Sequence, residues 1–384
     1  MAANGNGNGK PPVLVVLQLT GGNDYFNTVI PYNDEHYFDS RPSLQIPQER
    51  VLKLDDELGL HPAMGPMKDI YESGNMAIIH GVGYANSPRS HFRSMDIWHT
   101  CEPDKVGTEG WLGRALREID PNGENPVTGV NIGQALPRAL VAPAVSVASV
   151  ADLSTYGLLT SIEQQEQREQ MLGRFANMYG PAVGTGQVME YLGQTGLDAL
   201  KGADILKIAP DKYESSVEYG ASPISSKLRD IAQIHTADVG TRVFYCDYGS
   251  FDTHAAQATT HAKLWQDVSE AVQDFWDDLR EHDADENVVM IMFSEFGRRV
   301  RDNGSGTDHG AAGVGFAIGP RVKGGMYSEY PETRPEALEQ GDLVPNQDFR
   351  GFYTTILENH LHMEAAPIVN GSFEAPRFLQ TNGH

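Results

Sequence analysis

The chain is poor in cysteine, in basic residues and in long apolar runs. Its 384 residues include only Cys101 and Cys246 as cysteines, and we interpret both as reduced structural thiols. Lys and Arg number 29 against 52 Asp and Glu, which gives a net charge of −23. This acidity argues against a general nucleic-acid or anionic-membrane partner, since both need a basic surface. No apolar run approaches the ~20 residues of a membrane span.

The amino terminus, MAANGNGNGKPP, lacks the apolar segment of a signal peptide and a twin arginine. On this ground we expect a cytoplasmic location. The Asn and Gly alternation predicts a disordered, low-complexity tail over residues 1–11. Residues 12–384 are long enough to bury a large core, and we expect them to form a single domain.

Apolar runs alternate with amphipathic stretches along the chain, which predicts an α/β fold: a three-layer sandwich whose largely parallel sheet is covered by helices on both faces. Residues 32–54 are loop-like, and residues 150–236 have helix-like apolar spacing that predicts a mostly helical insertion. The predicted strands cover residues 13–19, 76–82, 241–246, 287–293 and 313–318. The predicted helices cover residues 61–73, 92–99, 261–282 and 348–361.

Acidic and histidine side chains follow three of these strands. The residues concerned are Asn23 and Asp24, then Asp252 and His254, then Glu295 with Asp308 and His309 behind it. Open α/β sheets bind ligands at the carboxyl ends of their strands, so we expect one composite site. Oxygen and imidazole ligands suit zinc, manganese or iron, whereas magnesium and calcium prefer oxygen alone. Each Asp–His pair taken alone is equally well explained as a turn or a helix N-cap.

Ser90 follows the strand at 76–82 and precedes a predicted helix, with Arg89 and His91 beside it. A serine at this position can lie beside an anion that the N–H groups of the helix N-terminus bind, or it can be a plain N-cap. The surrounding sequence lacks the glycine elbow of α/β hydrolases. Arg298, expected to face inward, would hold an anionic substrate or pair with the acidic body of the protein.

Several motifs taken together resemble, in order and from about residue 12 to 375, the sulfatase-like domain-of-unknown-function 1501 family. These motifs are LQLTGGNDYFNTVIP, RSHFRSMDIW, GWLGR, FDTHAAQ, SEFGRRV and GTDHGAAG. That family is similar to the alkaline phosphatase superfamily, whose members use two metals and a Ser, Thr or modified Cys nucleophile on phosphate or sulfate esters. The resemblance implies metals at the strand ends. Family members often carry an export signal, so it also leaves an exported location open.

The resemblance implies roles for individual residues. The metal ligands would be Asp24, Asp252, His254, Asp308 and His309; the catalytic groups Ser90, Glu295 and Arg298; and the substrate-binding residues Arg89, His91 and Asn23. Where the superfamily has Asp-His-Gly, this chain has Glu295-Phe296-Gly297, and a phenylalanine cannot bind a metal.

We therefore expect a metal-dependent hydrolase that acts on a small anionic ester with one or two divalent transition metal ions, zinc, manganese or iron. Two alternatives remain open. One is a non-catalytic descendant that binds a metal or another ligand, and the other is lyase or redox chemistry at one metal. The sequence leaves the oligomeric state undetermined.

Overall fold

A computed structural model describes residues 10–153 and 201–380, with a few isolated positions between them. The strands are β1 (Val13–Leu19), β2 (Val29–Pro31), β3 (Leu52–Lys53), β4 (Leu58–Leu60), β5 (Met76–Gly83), β6 (Gly129–Ile132), β7 (Val147–Val150), β8 (Val243–Tyr248), β9 (Val288–Phe293), β10 (Gly313–Ile318), β11 (Gly325–Tyr327) and β12 (Gln347–Asp348). The α-helices are α1 (Glu35–Ser40), α2 (Gly65–Glu72), α3 (His91–Thr100), α4 (Trp111–Ile119), α5 (Ile208–Lys212), α6 (Pro223–Thr236), α7 (Gln257–Glu281), α8 (Phe349–Asn359) and α9 (Ala366–Val369).

The main sheet of the described residues has nine strands in the order β11-β5-β10-β9-β1-β8-β6-β7, with β12 paired to β5. Neighbouring strands are parallel except at β10, which runs antiparallel to both β5 and β9. A smaller sheet has the order β2-β4-β3. The predicted α/β class with a largely parallel sheet is confirmed.

Helices cover both faces of the main sheet, as the central strand shows. Every residue of β1 is buried, and its side chains enter two cores alternately, since successive side chains of a strand point to opposite faces. Val15 and Leu17 pack with α2, α6 and α7. Leu14 and Val16 pack with α3, α4, α8 and α9. A strand buried on both faces is predominantly apolar, which is why β1 and β9 were predictable from the sequence.

The segment 32–54, predicted as a loop, contains α1 and β3, and the Asp34 side chain caps α1 by accepting a hydrogen bond from His36 N. The predicted helical insertion at 150–236 is helical at α5 and α6, and most of its remainder lies outside the described residues, as do residues 1–9 of the predicted tail. Both cysteines are buried and free. None of the helices in the described ranges is long and apolar enough to cross a membrane.

Candidate metal centre

The loops that carry the predicted site residues meet at one edge of the sheet, because β1, β8 and β9 are adjacent and parallel and so end together. The turn after β1 fits only because of its glycines. Gly21 has φ 118°, and a Cβ there would lie 2.4 Å from the backbone N of Asp252. Gly22 has φ 77°, and its Cβ would lie 2.4 Å from the Phe296 ring. Both positions need the conformational freedom of glycine.

Arg298 links these loops through hydrogen bonds from its buried side chain. Its side chain is buried and donates hydrogen bonds to the carbonyl oxygens of Gly22 at 2.6 Å, Thr307 at 2.9 Å and Phe251 at 3.1 Å. It also donates to Oδ1 of Asp252 at 2.6 Å. The predicted substrate-facing arginine is thus fully engaged within the protein, and its charge acts on Asp252.

Asp252 lies at the centre of a cluster of histidines. Its Oδ1 is 3.0 Å from Nε2 of His309 and 3.1 Å from Nε2 of His254, and its Oδ2 is 3.4 Å from Nε2 of His91. Burial raises the pKa of Asp252, but the hydrogen bond from Arg298 and the charge of that guanidinium lead the effects that outweigh burial and lower the pKa to about 2. The carboxylate is therefore ionised at neutral pH and available as an oxygen ligand.

Each of the three histidines is held through its other ring nitrogen. Nδ1 of His309 is 2.9 Å from the Arg89 carbonyl oxygen, Nδ1 of His91 is 2.8 Å from Oε1 of Glu295, and Nδ1 of His254 is 3.2 Å from Oδ1 of Asp308. A carbonyl oxygen can only accept, so Nδ1 of His309 donates and the neutral ring has its lone pair at Nε2. Metal-binding histidines have this arrangement, in which an oxygen fixes the nitrogen that does not bind the ion.

The spacing of the inward-facing atoms fits a single transition metal ion. One ligand atom each from His91, Asp252 and His309 lie within 4.8 Å of one another, and Nε2 of His254 is 3.0 Å from Nε2 of His309. Two ligands of a tetrahedral zinc ion lie roughly 3.3 Å apart, because each bond is about 2.0–2.1 Å. The His91 Nε2 is buried and accepts or donates no hydrogen bond among the described residues. A ligand atom is therefore left unsatisfied inside the cluster.

Asp24, predicted as a metal ligand, lies outside this cluster. Its buried carboxylate accepts two hydrogen bonds from Arg41, from Nη1 to Oδ2 at 2.5 Å and from Nη2 to Oδ1 at 2.9 Å. Gln257 donates a further hydrogen bond to it. Burial raises the pKa of Asp24, and Arg41 more than reverses this effect, so the pKa is lowered overall. Asn23 also faces inward, where its Oδ1 is 3.0 Å from Nε2 of His261. The two residues form an internal polar network.

Glu295 and Phe296 contact the histidines of the cluster. Glu295 is 1% exposed, and besides His91 it accepts hydrogen bonds from Gly21 N at 2.9 Å and Ser294 Oγ at 3.1 Å. The Phe296 ring lies 4.9 Å from the His91 ring and 4.8 Å from the His309 ring between centroids. Phe296 therefore forms part of the cluster wall, as an apolar surface for two imidazoles.

Ser90 and Arg89 border the cluster without entering it. Ser90 is exposed at the N-cap position of α3, and its side chain makes no capping hydrogen bond. The Arg89 guanidinium lies 2.6 Å from Asp342, and only its backbone oxygen contacts the cluster. The sequence did not reveal that His91, beside them, faces Asp252. The sequence signal that could have indicated this role is the position of His91 directly after Ser90, at the start of a predicted helix.

The fold and this site define a three-layer α/β protein with a carboxylate and histidine cluster at the carboxyl ends of parallel strands. The chain belongs to the family described as Protein of unknown function (DUF1501), whose model matches residues 12–362. No curated protein matches the sequence.

Solved structures resemble the chain only distantly. Ps i-CgsB is 11% identical, with 95% of this chain and 73% of that chain covered and a TM-score of 0.41. Alkaline phosphatase from the Antarctic bacterium TAB5 is 14% identical, with coverage of 81% and 93% and a TM-score of 0.34. A protein of the alkaline phosphatase superfamily from Vibrio parahaemolyticus is 8% identical, with coverage of 94% and 70% and a TM-score of 0.38. Nothing about the chemistry of this chain follows from likenesses of this size.

Proposed function

We propose that this chain is a metal-dependent hydrolase that acts on a phosphate or sulfate ester with one divalent transition metal ion, zinc, manganese or iron. One observation carries the proposal. His91, His254 and His309 each have Nδ1 fixed by an oxygen, while their Nε2 atoms converge on the Asp252 carboxylate. Mixed imidazole and carboxylate ligands suit these three metals.

The surroundings of Asp24, Glu295 and Phe296 support one ion over two. A two-metal site stabilises both the attacking and the leaving oxygen of the substrate. Here Arg41 already neutralises Asp24, and Glu295 is occupied by His91, Gly21 and Ser294. Phe296 offers no ligand atom. The guanidinium of Arg41 thus supplies the positive charge beside Asp24 that a second ion would otherwise supply.

Residues of the chain have separate tasks in the proposed reaction. A bound divalent ion would polarise the ester and lower the pKa of a coordinated water. Ser90, exposed at the start of α3, is the proposed nucleophile or anion contact, because the free N–H groups and dipole of a helix N-terminus favour negative charge. Glu295 keeps the proton on Nδ1 of His91, which leaves Nε2 free to bind. We assign Glu295 and Arg298 as positioning residues.

One observation favours a non-catalytic role for the same metal site. Arg89 and Arg298 were expected to hold the anionic substrate, and both guanidinium groups are paired with carboxylates of the protein, Asp342 and Asp252. An anionic ester would then depend on the ion and on the α3 N-terminus for its positive surroundings. A metal-binding protein without turnover is therefore the second candidate.

An ester screen on metal-loaded protein separates the two candidates. The purified chain is stripped with a chelator, reloaded with zinc, manganese or iron(II), and assayed with 4-nitrophenyl phosphate and 4-nitrophenyl sulfate beside sugar phosphates and sugar sulfates. The proposal predicts turnover with at least one ester, lost on chelation and restored by the ion. Tight metal binding without turnover of any ester would refute the hydrolase and support the binding protein.

A further inference from the structure

A polar cavity adjoins the metal centre on the side of Arg89. Its volume is about 420 Å³, within the range of roughly 300–1,000 Å³ typical of small-molecule sites. Tyr84, Asn86, Arg89, Ala311, Gln340 and Asp342 are among the residues that line it. Arg89 connects cavity and cluster, since its side chain lines the cavity while its backbone oxygen accepts the hydrogen bond from His309. Ala311 follows His309 by two residues.

The cavity wall contains an ion pair with unused hydrogen-bonding capacity. Nη2 of Arg89 lies 2.6 Å from Oδ2 of Asp342, and Nε of Arg299 lies 3.9 Å from Oδ1. Asp342 is 1% exposed, and in the part of the chain that the structure describes no group donates a hydrogen bond to its Oδ1, from which Arg299 Nε is 3.9 Å away. Buried carboxylate oxygens are normally hydrogen-bonded, so a donor from a ligand would be favourable.

The charge of this wall selects among ligand classes. A carboxylate beside a guanidinium offers a hydrogen-bond acceptor and hydrogen-bond donors with no net charge. An anion or a cation would therefore be attracted by one group of the pair and repelled by the other. A hydroxyl can donate to Asp342 and accept from Arg89 at the same time. The lining also contains a second carboxylate, Glu339, together with the neutral polar groups of Tyr84, Asn86, Ser87 and Gln340. Two carboxylates against one guanidinium disfavour an anion, and both carboxylates can accept hydrogen bonds from hydroxyl groups. Sites built to hydrogen-bond a hydroxyl discriminate strongly against ligands that lack it.

The backbone around the cavity is held in an uncommon conformation. Asn86, Arg89 and Gln340 have φ of 60°, 53° and 57°, in the left-handed region that costs a non-glycine residue roughly 1–3 kcal/mol. Such conformations often accompany ligand-binding sites. All three of these residues line the same cavity.

We propose that this cavity binds a neutral, hydroxyl-rich group such as a sugar ring, as the part of the substrate that carries the ester. That the bound group is part of a substrate rests on the proposed function. Binding of the hydroxylated group itself requires neither metal nor turnover. Arg89 and Asp342 would contact ring hydroxyls while the ester reaches the histidine cluster.

Saturation-transfer NMR on the metal-free protein with glucose and cellobiose tests this proposal separately from the hydrolase. We expect transfer to the sugar signals, and an affinity reduced at least tenfold by Asp342→Asn. Gln340→Gly is the second variant, because glycine tolerates φ 57° and the exposed side chain is not needed for folding; it should weaken binding about threefold. Glu332→Gln, at an exposed acid outside the cavity, is the control.

Two results would overturn the proposal. One is the lack of saturation transfer to either sugar, and the other is sugar binding that neither Asp342→Asn nor Gln340→Gly weakens. Failure of the hydrolase proposal appears elsewhere, as a lack of turnover in the ester screen, and leaves the NMR result interpretable.

Discussion

Asp24 and Arg41 form a buried two-point ion pair, with Nη1 2.5 Å from Oδ2 and Nη2 2.9 Å from Oδ1. Neither side chain is exposed to solvent. Arg41 lies in the segment that looked like a loop in the sequence, and its Nε also donates to the Val300 carbonyl. The pair thus joins the turn after β1 to the loop after β9, and it engages both carboxylate oxygens of Asp24 within the protein.

Removing one partner of this pair should be costly. Arg41→Met leaves the Asp24 carboxylate buried and uncompensated, and we expect the free energy of unfolding to fall by about 3–5 kcal/mol. The matched control is Arg334→Met, which breaks an exposed pair with Glu332 and should cost under about 1 kcal/mol. Urea denaturation measures both. Equal, small losses would show that the buried pair does not anchor the turn.

Glu295 should act on metal affinity through His91. Glu295→Gln weakens the hold on the His91 ring and its tautomer, and changes of this kind usually cost 10- to 100-fold in metal affinity. Chelator competition on the reconstituted variant gives the number. Glu270→Gln, on the exposed face of α7, should leave affinity unchanged. An unaltered affinity in Glu295→Gln would remove His91 from the set of ligands.

Ser90 can be compared with a true N-cap in the same chain. The Ser222 side chain accepts a hydrogen bond from Ser225 N at the start of α6, whereas Ser90 makes no such bond at α3. We expect Ser222→Ala to cost about 1 kcal/mol of stability, and Ser90→Ala to cost less than about 0.5 kcal/mol. Ser90→Ala should instead abolish ester turnover with its metal content intact. Turnover that survives in Ser90→Ala would refute a nucleophilic role for this serine.

Stability should fall in mild acid because several histidines are buried in the neutral form. Burial lowers the pKa of His80, His99 and His360 to about 4 each. The unfolded chain, with an ordinary histidine pKa near 6.5, takes up these protons first as the pH falls. Each such group should cost about 2 kcal/mol between pH 7 and pH 5. Urea denaturation at both pH values measures the loss, which His99→Gln should reduce. A pH-independent free energy of unfolding over this range would contradict the prediction.

The strands were predictable because they are predominantly apolar, and the meeting of Asp252, His254 and His309 follows from where such strands end. What escaped prediction depends on contacts between segments far apart in the chain. Arg41 meets Asp24 only after a loop folds back as α1, and Glu295 meets His91 across 204 residues. The resemblance implied a metal-ligand role for Asp24 but could not show that Arg41 pairs with this carboxylate, because a motif identifies a residue type and not its partner in the fold.

The number of metal ions bound per chain distinguishes a one-metal site at the histidine cluster from a two-metal site or none. Purified protein is reconstituted with zinc, manganese or iron(II), freed of excess ion, and analysed by inductively coupled plasma mass spectrometry. We expect one ion in the wild type and none in His309→Ala, with the fold retained. The control is His362→Asn, since His362 is exposed at φ 58°, where asparagine is well tolerated, and it should keep one ion. Two ions, no ion with any of the three metals, or one ion retained in His309→Ala would contradict the account.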